Sequence, residues 1–252
     1  MVVGIILSAG RGVRMNSEDI NKVALPFAGK PLVTYGVELF QSVCDKVIVV
    51  IGSFAESVKK VLIDYKVVFV YQSEPLGTGH AVKVAIEDLV ENSNEPLPSL
   101  VLVGYGDHMM FYKRSTVEAL IDAVGSDEVA FSMVTTKHAD PDTLGFARVV
   151  KDNSGKILRL VEQKDAKNYE HSLTDLNAGL YCFKYDFLTS YIDKITKSPV
   201  TGEYYLTELV DIAVADGYTI GEVSVPFEEV GIGVNTRQQL SDSQVFFREI
   251  ND

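Results

Sequence analysis

Residues 2–15 read VVGIILSAGRGVRM, a β-branched run from Val2 to Leu7 that opens into a loop punctuated by Gly10 and Gly12. A short apolar run closed by glycines predicts a buried strand that ends in a tight turn. The pattern then repeats along the chain. Pro31 opens a helical stripe through Val33, Val37, Leu39 and Phe40, with proline in the first turn where it is tolerated. Val47 to Ile51 predicts the next strand, and Phe54, Val58, Leu62 and Tyr65 recur at nearly helical spacing. Val67 to Tyr71 predicts a third strand, and Thr78 begins a helix with Val82, Ala85, Ile86 and Leu89 as its inner face. Leu100 to Val103 predicts a fourth strand. A helix carrying Leu120, Ile121 and Val124 follows, announced by Ser115 and Glu118 in capping-box spacing. Val129 to Val134 predicts a fifth strand. Strands alternating with helices predict βαβ units, hence an α/β fold with a Rossmann-like, mainly parallel sheet flanked by helices on both faces.

After residue 140 the rhythm changes. Phe146 to Val150 and Ile157 to Val161 flank the turn cluster Asp152-Asn153-Ser154-Gly155, which predicts an antiparallel hairpin. Leu176 to Phe183 predicts a further strand. Helices return at Leu206 to Asp216, stopped by Gly217, and at Thr236 to Ile250. The sequence carries no linker, charge block, low-complexity segment or internal repeat. It reads as a single domain over 1–252, with a first half over 1–140, a smaller antiparallel lobe completing the sheet over 141–235, and a C-terminal helix over 236–252.

The 252 residues, 46% of them hydrophobic, exclude a disordered chain. With 23 basic against 35 acidic residues the formal net charge is −12. That balance argues against a sequence-independent nucleic-acid binder. The positive charge to hold an anionic ligand must therefore be local or come from a metal ion. Cys44 and Cys182 are the two cysteines, without CxxC spacing; both read as packing residues in a reducing compartment. The N-terminus lacks the basic region of a signal peptide, and no apolar stretch approaches the about 20 residues of a membrane span. The expectation is a cytoplasmic protein without a membrane partner.

Ligands of open parallel sheets bind beyond the carboxyl ends of the strands. The loop Ser8 to Met15 allows main-chain N–H groups to face an anion, with Arg14 adding a bidentate fork; an ordinary turn accounts for the glycines equally well. It is not a Walker A loop, nor the dinucleotide G-x-G-x-x-G, because Met15 stands in the third glycine's place. Gly104-Tyr105-Gly106-Asp107 ends the fourth strand, and Asp107 reads either as a Mg2+ ligand or as a turn cap. Asn235, with Gln238 three residues on, reads as a helix N-cap. The loop Gln72 to His80 brings backbone close to a ligand at Gly77 and Gly79, and Gln72 offers a donor and acceptor pair suited to a base edge. His80 is either a base or a structural residue, and no carboxylate partner is evident to orient it. Neither H-E-x-x-H nor G-x-S-x-G is present, so zincin and α/β-hydrolase chemistry fall away.

Read in order, the segments LSAGRGVRM with Lys22, AGKPLV, QSEPLGTGHA, YGD, GFAR, VEQKDA, LNAG, GEYYLTELV and GIGVNTRQQL resemble one enzyme family along roughly residues 4 to 245. It is the uridylyltransferase domain of the bifunctional N-acetylglucosamine-1-phosphate uridylyltransferase/glucosamine-1-phosphate acetyltransferases, a sugar-1-phosphate nucleotidyltransferase of the nucleotide-diphospho-sugar transferase fold. The resemblance implies that Leu7, Ser8, Ala9, Gly10, Gly12, Arg14 and Lys22 surround the base and triphosphate of UTP, and that Gln72, Gly77 and Thr78 hold the uracil. It implies that Asp107 and Asn235 are the protein ligands of Mg2+. Tyr105, Glu162, Asn177 and the backbone near Ala147 would line the sugar pocket, with Lys164 near the phosphates. Arg14, Lys22 and Asp107 would carry catalysis.

The chain departs from that pattern at several positions. Asn21 precedes Lys22 where the family usually has proline, in a loop one residue longer. Pro75 replaces a common Gln, Ala147 replaces the second glycine of GYGR, and His108 follows the metal Asp where Val is typical. No hexapeptide repeats follow the last predicted helix, so the left-handed β-helix half of the bifunctional enzymes is not expected. The activity implied is Mg2+-dependent formation of a UDP-sugar and pyrophosphate from UTP and a sugar-1-phosphate, N-acetylglucosamine-1-phosphate first among them. A nucleotidyltransferase using another triphosphate or acceptor, and a non-catalytic module that binds nucleotide-sugar, are the alternatives.

Overall fold

Aliphatic runs form the strands of this chain, and the amphipathic stretches between them form the helices. The computed structural model describes residues 1–10, 12, 19–92, 96–167 and 169–251. In chain order it contains β1 (Val2–Ser8), β2 (Pro26–Phe27), β3 (Lys30–Pro31), α1 (Leu32–Gln41), β4 (Lys46–Ile51), α2 (Ala55–Val61), β5 (Val68–Tyr71) and α3 (Thr78–Asn92). There follow β6 (Leu100–Tyr105), α4 (Arg114–Ala123), β7 (Val129–Lys137), β8 (Arg148–Lys151), β9 (Ile157–Val161) and β10 (Asp175–Lys184). The chain continues through α5 (Tyr185–Tyr191), α6 (Glu208–Ala215), β11 (Thr219–Ser224) and α7 (Arg237–Asn251).

Seven strands form a continuous sheet in the order β11-β7-β10-β6-β1-β4-β5, and the β8–β9 hairpin joins it through the Leu176–Arg148 pair. β1 is parallel to β4 and β6, and β4 to β5. β10 runs antiparallel to β6 and β7, while β11 is parallel to β7, so only β10 is reversed among the seven. Side chains alternate across the sheet as the pleat requires. Val3, Ile5 and Leu7 enter the core beneath α3, α5 and α6, whereas Ile6 enters the core beneath α1, α2 and α4. Gly4 lets α1 come close, since a Cβ there would lie 2.5 Å from the Phe40 ring.

The register explains why one edge of the sheet carries the chemistry. Leu7 pairs with Tyr105, Ser8 with Ile51, and Ile51 with Tyr71. The segments after β1, β4, β5 and β6 therefore leave the sheet side by side. β10 starts from the same edge because it is reversed: Leu180 pairs with Gly104, which puts Asn177 beyond the end of β6. A third apolar cluster of Phe27, Leu32, Met110, Phe111 and Val234, with Phe246 and Phe247 packed on it, fastens α7 and the segment before it near that edge. The rings of Phe27, Phe111 and Phe247 meet edge to face, 5.3 to 6.2 Å apart.

The predicted fold class holds, and three details differ. The Ser115–Glu118 capping box does not form. α4 begins at Arg114 with Lys113 as an N-cap whose side chain makes no capping bond to the helix. Glu118 instead accepts from Arg114 Nε at 2.7 Å, and this i,i+4 ion pair takes the carboxylate away from the helix start. Pro31 stands just outside α1 rather than in its first turn. The structure also contains β11, α5 and the β2–β3 hairpin, which the periodicity reading does not predict. β11 is half-buried along its length and interleaves polar residues, and α5 is a seven-residue piece whose Phe187 and Leu188 owe their burial to the sheet. In the β8–β9 turn, Asp152 Oδ1 accepts from the backbone of Ser154 and Lys156 at 2.8 and 3.0 Å, as the turn cluster leads one to expect. Both cysteines are free, and burial pushes each thiol up to about 12.

Candidate active site

The strand-end loops, the segments flanking the β8–β9 hairpin and the segment before α7 line a cleft of about 720 Å³. Every site residue expected from the sequence that lies among the described residues lines it: Leu7, Ser8, Ala9, Gly10, Gly12, Lys22, Gln72, Gly77, Thr78, Tyr105, Asp107, Ala147, Glu162, Lys164, Asn177 and Asn235. Arg14 lies outside the described residues. The departures Pro75, His108 and Ala147 line the same cleft.

At its floor, Lys22 sits on a short 3₁₀ turn over Lys22–Ala24 that Asn21 caps, the Asn21 side chain accepting from Val23 N. The stem of Lys22 runs along Gly12, where a Cβ would approach its Cβ to 3.3 Å. The ammonium is in contact with Asp107 Oδ2 and donates to Asn235 Oδ1 at 2.9 Å. Asp107 reaches this position because Gly106 N donates to Leu7 O at 3.0 Å, tying the turn to the end of β1. Val234 N donates to Asp107 O at 3.1 Å, which brings Asn235 alongside. The expected capping role of Asn235 falls to its neighbour: Thr236 Oγ1 accepts from Gln239 N at 3.1 Å, leaving the Asn235 side chain to face Lys22.

One wall is the loop between β5 and α3. Gln72 Nε2 donates to Gly77 O at 3.2 Å and lies 2.8 Å from His80 Nδ1. His80 thus acts behind Gln72 and sets the orientation of its amide, which settles its two readings in favour of the structural one. Gly77 has φ +111°, and a Cβ there would lie 2.5 Å from Tyr204 O. The close approach exists because Tyr204 is strapped to this loop: its N–H donates to Leu76 O and its carbonyl accepts from Gly79 N, both at 2.8 Å. Thr78 Oγ1 accepts from Leu206 N at 3.0 Å.

The opposite wall comes from β6, β9 and β10. Tyr105 packs over Gly179, where φ is +75° and a Cβ would meet the ring at 2.8 Å. Burial raises the Tyr105 phenol above its ordinary range, and the nearby Glu162 carboxylate adds to the shift. Burial likewise lifts the Glu162 carboxyl, against a hydrogen bond from Thr207 Oγ1 at 2.7 Å that favours the charged form. Asn177 donates through Nδ2 to Tyr181 OH at 2.6 Å and accepts at Oδ1 from Gly179 N at 3.2 Å; its backbone N–H donates to Ala147 O at 2.9 Å. The Phe146–Ala147 segment is held from behind by the wholly buried Arg148, which donates to Phe146 O and pairs with Asp142 at 2.7 Å. Lys164 is exposed at the rim. His108 is buried against Phe146, ring centroids 4.7 Å apart, and burial lowers its pKa.

The sequence reading treats Asn21 only as a departure and does not count Gln163 or Tyr205 among site residues, yet all three line the cleft. Tyr205 lies inside the GEYYLTELV segment, so its signal is present but unassigned. Asn21 becomes visible only through what packs around it. Among the described residues, no group of three or more His, Cys, Asp or Glu side chains is gathered as a metal cage. None of their helices is long and apolar enough to cross a membrane.

The family model described as the MobA-like NTP transferase domain matches residues 4–175. The bifunctional protein GlmU of Psychrobacter sp. (strain PRwf-1) is 37% identical over 238 residues, covering 94% of this chain and 50% of that protein. GlmU of Desulfotalea psychrophila (strain LSv54 / DSM 12343) is 34% identical over 94% of this chain and 68% of that protein. GlmU of Caldanaerobacter subterraneus subsp. tengcongensis is 38% identical over 100% of this chain and 53% of that protein. The chain thus spans about half the length of the first and third of these relatives. Among solved structures, the inositol-1-phosphate CTP transferase from T. maritima superposes with a TM-score of 0.72 at 17% identity, covering 99% of this chain and 96% of that one; this likeness shows the fold.

Proposed function

Because the chain belongs to the family of MobA-like NTP transferase domains, we propose that this nucleotidyltransferase joins UTP to a sugar-1-phosphate, N-acetylglucosamine-1-phosphate above others, and releases pyrophosphate. The observation that carries the reading is the convergence of Lys22, Asp107 and Asn235 in the cleft beside the Gln72–Thr78 loop. In this reading the first 140 residues hold the nucleotide and residues 141–235 hold the acceptor. Leu7, Ala9, Gly10 and Gly12 face the triphosphate, and Gln72, Gly77 and Thr78 read the base edge. Tyr105, Glu162, Asn177 and the Ala147 backbone orient the sugar, with Lys164 at the rim toward the phosphates.

The donor set fits a divalent cation. Asp107 Oδ2 and Asn235 Oδ1 are hard oxygen ligands of the kind Mg2+ takes, and both already converge on one positive group, the Lys22 ammonium. A Mg2+ held there by Asp107 and Asn235 supplies neutralisation of the phosphate charge that develops during transfer. The protein's own work is positioning. A phosphate monoester is already anionic at neutral pH, so an acceptor oxygen attacks the α-phosphorus without a protein base, and the bond to the β-phosphate oxygen breaks as pyrophosphate leaves. Lys22, with Arg14, offsets charge on the leaving group, and the walls hold both reactants in line.

The test is a panel of nucleoside triphosphates and sugar-1-phosphates, assayed by pyrophosphate release with Mg2+ and with a chelator. UTP with N-acetylglucosamine-1-phosphate should turn over fastest, and chelation should abolish the reaction. Preference for another triphosphate or acceptor would replace the substrate assignment. Binding of UDP-sugar without turnover of any pair would leave a binding module in place of an enzyme.

A further inference from the structure

Asn21 is wholly buried, yet every polar group of its side chain is engaged. Its two amide hydrogens are shared among three carbonyls: Ser8 O at 3.1 Å, Gly10 O at 3.2 Å and Ser53 O at 2.8 Å. Its Oδ1 accepts from Val23 N at 3.1 Å and so starts the turn that carries Lys22. Its own N–H donates to Ser57 Oγ at 2.9 Å. Between the two carbonyls that Asn21 takes from the glycine loop, Ala9 O accepts from Ser53 N at 3.2 Å. Three consecutive carbonyls, those of residues 8, 9 and 10, are therefore bonded to donors on the protein side.

That arrangement matters because a loop receives an anion through its N–H groups, and a carbonyl turned toward the same space repels it. Asn21 has φ −67° and ψ 140°, the extended geometry that a proline ring would fix covalently. A proline at this position would reproduce the angle but has no donor to hold the carbonyls of Ser8, Gly10 and Ser53. Here side-chain hydrogen bonds set the backbone angle and also fasten the loop.

We propose that Asn21 is a positioning residue for the triphosphate: its amide holds the Ser8 and Gly10 carbonyls away from the cleft and, through the turn it caps, sets Lys22 against Asp107. The proposal rests on the nucleotidyltransferase reading and predicts a selective effect on the nucleotide, since no Asn21 contact reaches the acceptor wall of Tyr105, Glu162 and Asn177.

The experiment measures UTP binding by calorimetry without acceptor, and steady-state kinetics with both substrates, for the wild type, Asn21→Ala and Asn21→Asp. Asn21→Asp keeps the size and the cap to Val23 but turns an acceptor toward the three carbonyls. Loss of a buried hydrogen-bond donor to this segment should weaken UTP binding by about 10-fold or more in both variants. The KM for the sugar-1-phosphate should stay as in the wild type. Unchanged UTP affinity in folded Asn21→Ala overturns the proposal, as does an equal rise in both KM values, which a general loss of structure would produce. If neither variant folds, Asn21→Ser, which retains one donor, must bind UTP less tightly than the wild type with acceptor KM unaltered, or the proposal fails. A wild type that binds UTP but turns over no pair defeats the enzyme reading and leaves the binding comparison decisive for Asn21. A wild type that binds no triphosphate defeats both.

Discussion

Lys22 Nζ and Asn235 Oδ1 stand 2.9 Å apart, although 213 positions separate the two residues in sequence. The same ammonium contacts Asp107, so one cation draws together the turn after β1, the end of β6 and the approach to α7. Lys22 and Asp107 are both largely buried, with side chains 14% and 15% exposed, so solvent screens their attraction less than it would at the surface.

Removing Asp107 should silence the enzyme without unfolding it. Asp107→Ala takes away the carboxylate proposed to hold the metal and the counter-charge of Lys22, and turnover should fall by roughly 100-fold or more, in the range of losing one key electrostatic stabiliser. Pyrophosphate release measured beside a thermal melt checks it. Near-wild-type turnover would remove Asp107 from the catalytic set.

In the proposed reading a divalent cation would compete with the Lys22 ammonium for Asp107 Oδ2 and Asn235 Oδ1. Lys22→Met should therefore bind Mn2+, read by electron paramagnetic resonance without nucleotide, more tightly than the wild type. Loss of a charge-assisted competitor should be worth about 10-fold. Turnover should nonetheless drop, because the leaving group loses its cation. Mn2+ affinity that is equal or weaker in Lys22→Met would show that the ammonium does not guard the site.

A methyl group at Gly77 has nowhere to go. Gly77→Ala combines φ +111° with a Cβ placed 2.5 Å from Tyr204 O, so it should cost about 1–3 kcal/mol of stability in urea titration. It should also raise KM for UTP, because Gln72 donates to Gly77 O. A variant with unaltered stability and unaltered KM would mean that the loop reads no base.

The pH dependence of stability should expose Glu162. Burial raises its pKa in the fold above the ordinary carboxylate value of 4.5. The folded protein then holds this proton more firmly than the unfolded chain, so stability falls as pH rises from 4.5 through the raised pKa. Glu162→Gln keeps an acceptor for Thr207 and lacks the charge. It should match the wild type at low pH and exceed it at neutral pH in urea unfolding. KM for the sugar-1-phosphate should rise in the same variant. Equal pH profiles for the two proteins would contradict the raised pKa of this half-buried carboxyl.

The fold is legible in the sequence where a segment's own periodicity decides its state. Val2 to Leu7 and Leu100 to Val103 are apolar on both faces because both faces of a parallel sheet are covered, and they read as strands without any partner in view. β11 is not legible: it lies at the sheet edge, half-buried, and its polar residues dilute the signal. The Ser115–Glu118 pair misleads for the opposite reason, since a local motif fits but Arg114 offers the carboxylate a nearer partner.

The site divides in the same way. Sequence alone determines the parallel sheet, the strand-end loops and the residue types they carry, because these follow from local patterning and ordered motifs. Only the tertiary structure decides that Thr236 rather than Asn235 caps α7, that His80 serves Gln72, and that Asn21 clips three carbonyls from two separate loops. Each of those roles is a choice among competing hydrogen-bond partners, and distant ones decide two of them: Asn235 turns to Lys22, 213 positions away, and Asn21 reaches Ser53, 32 positions away. Such a choice is made by strand register and by the burial that leaves a polar group no water to turn to.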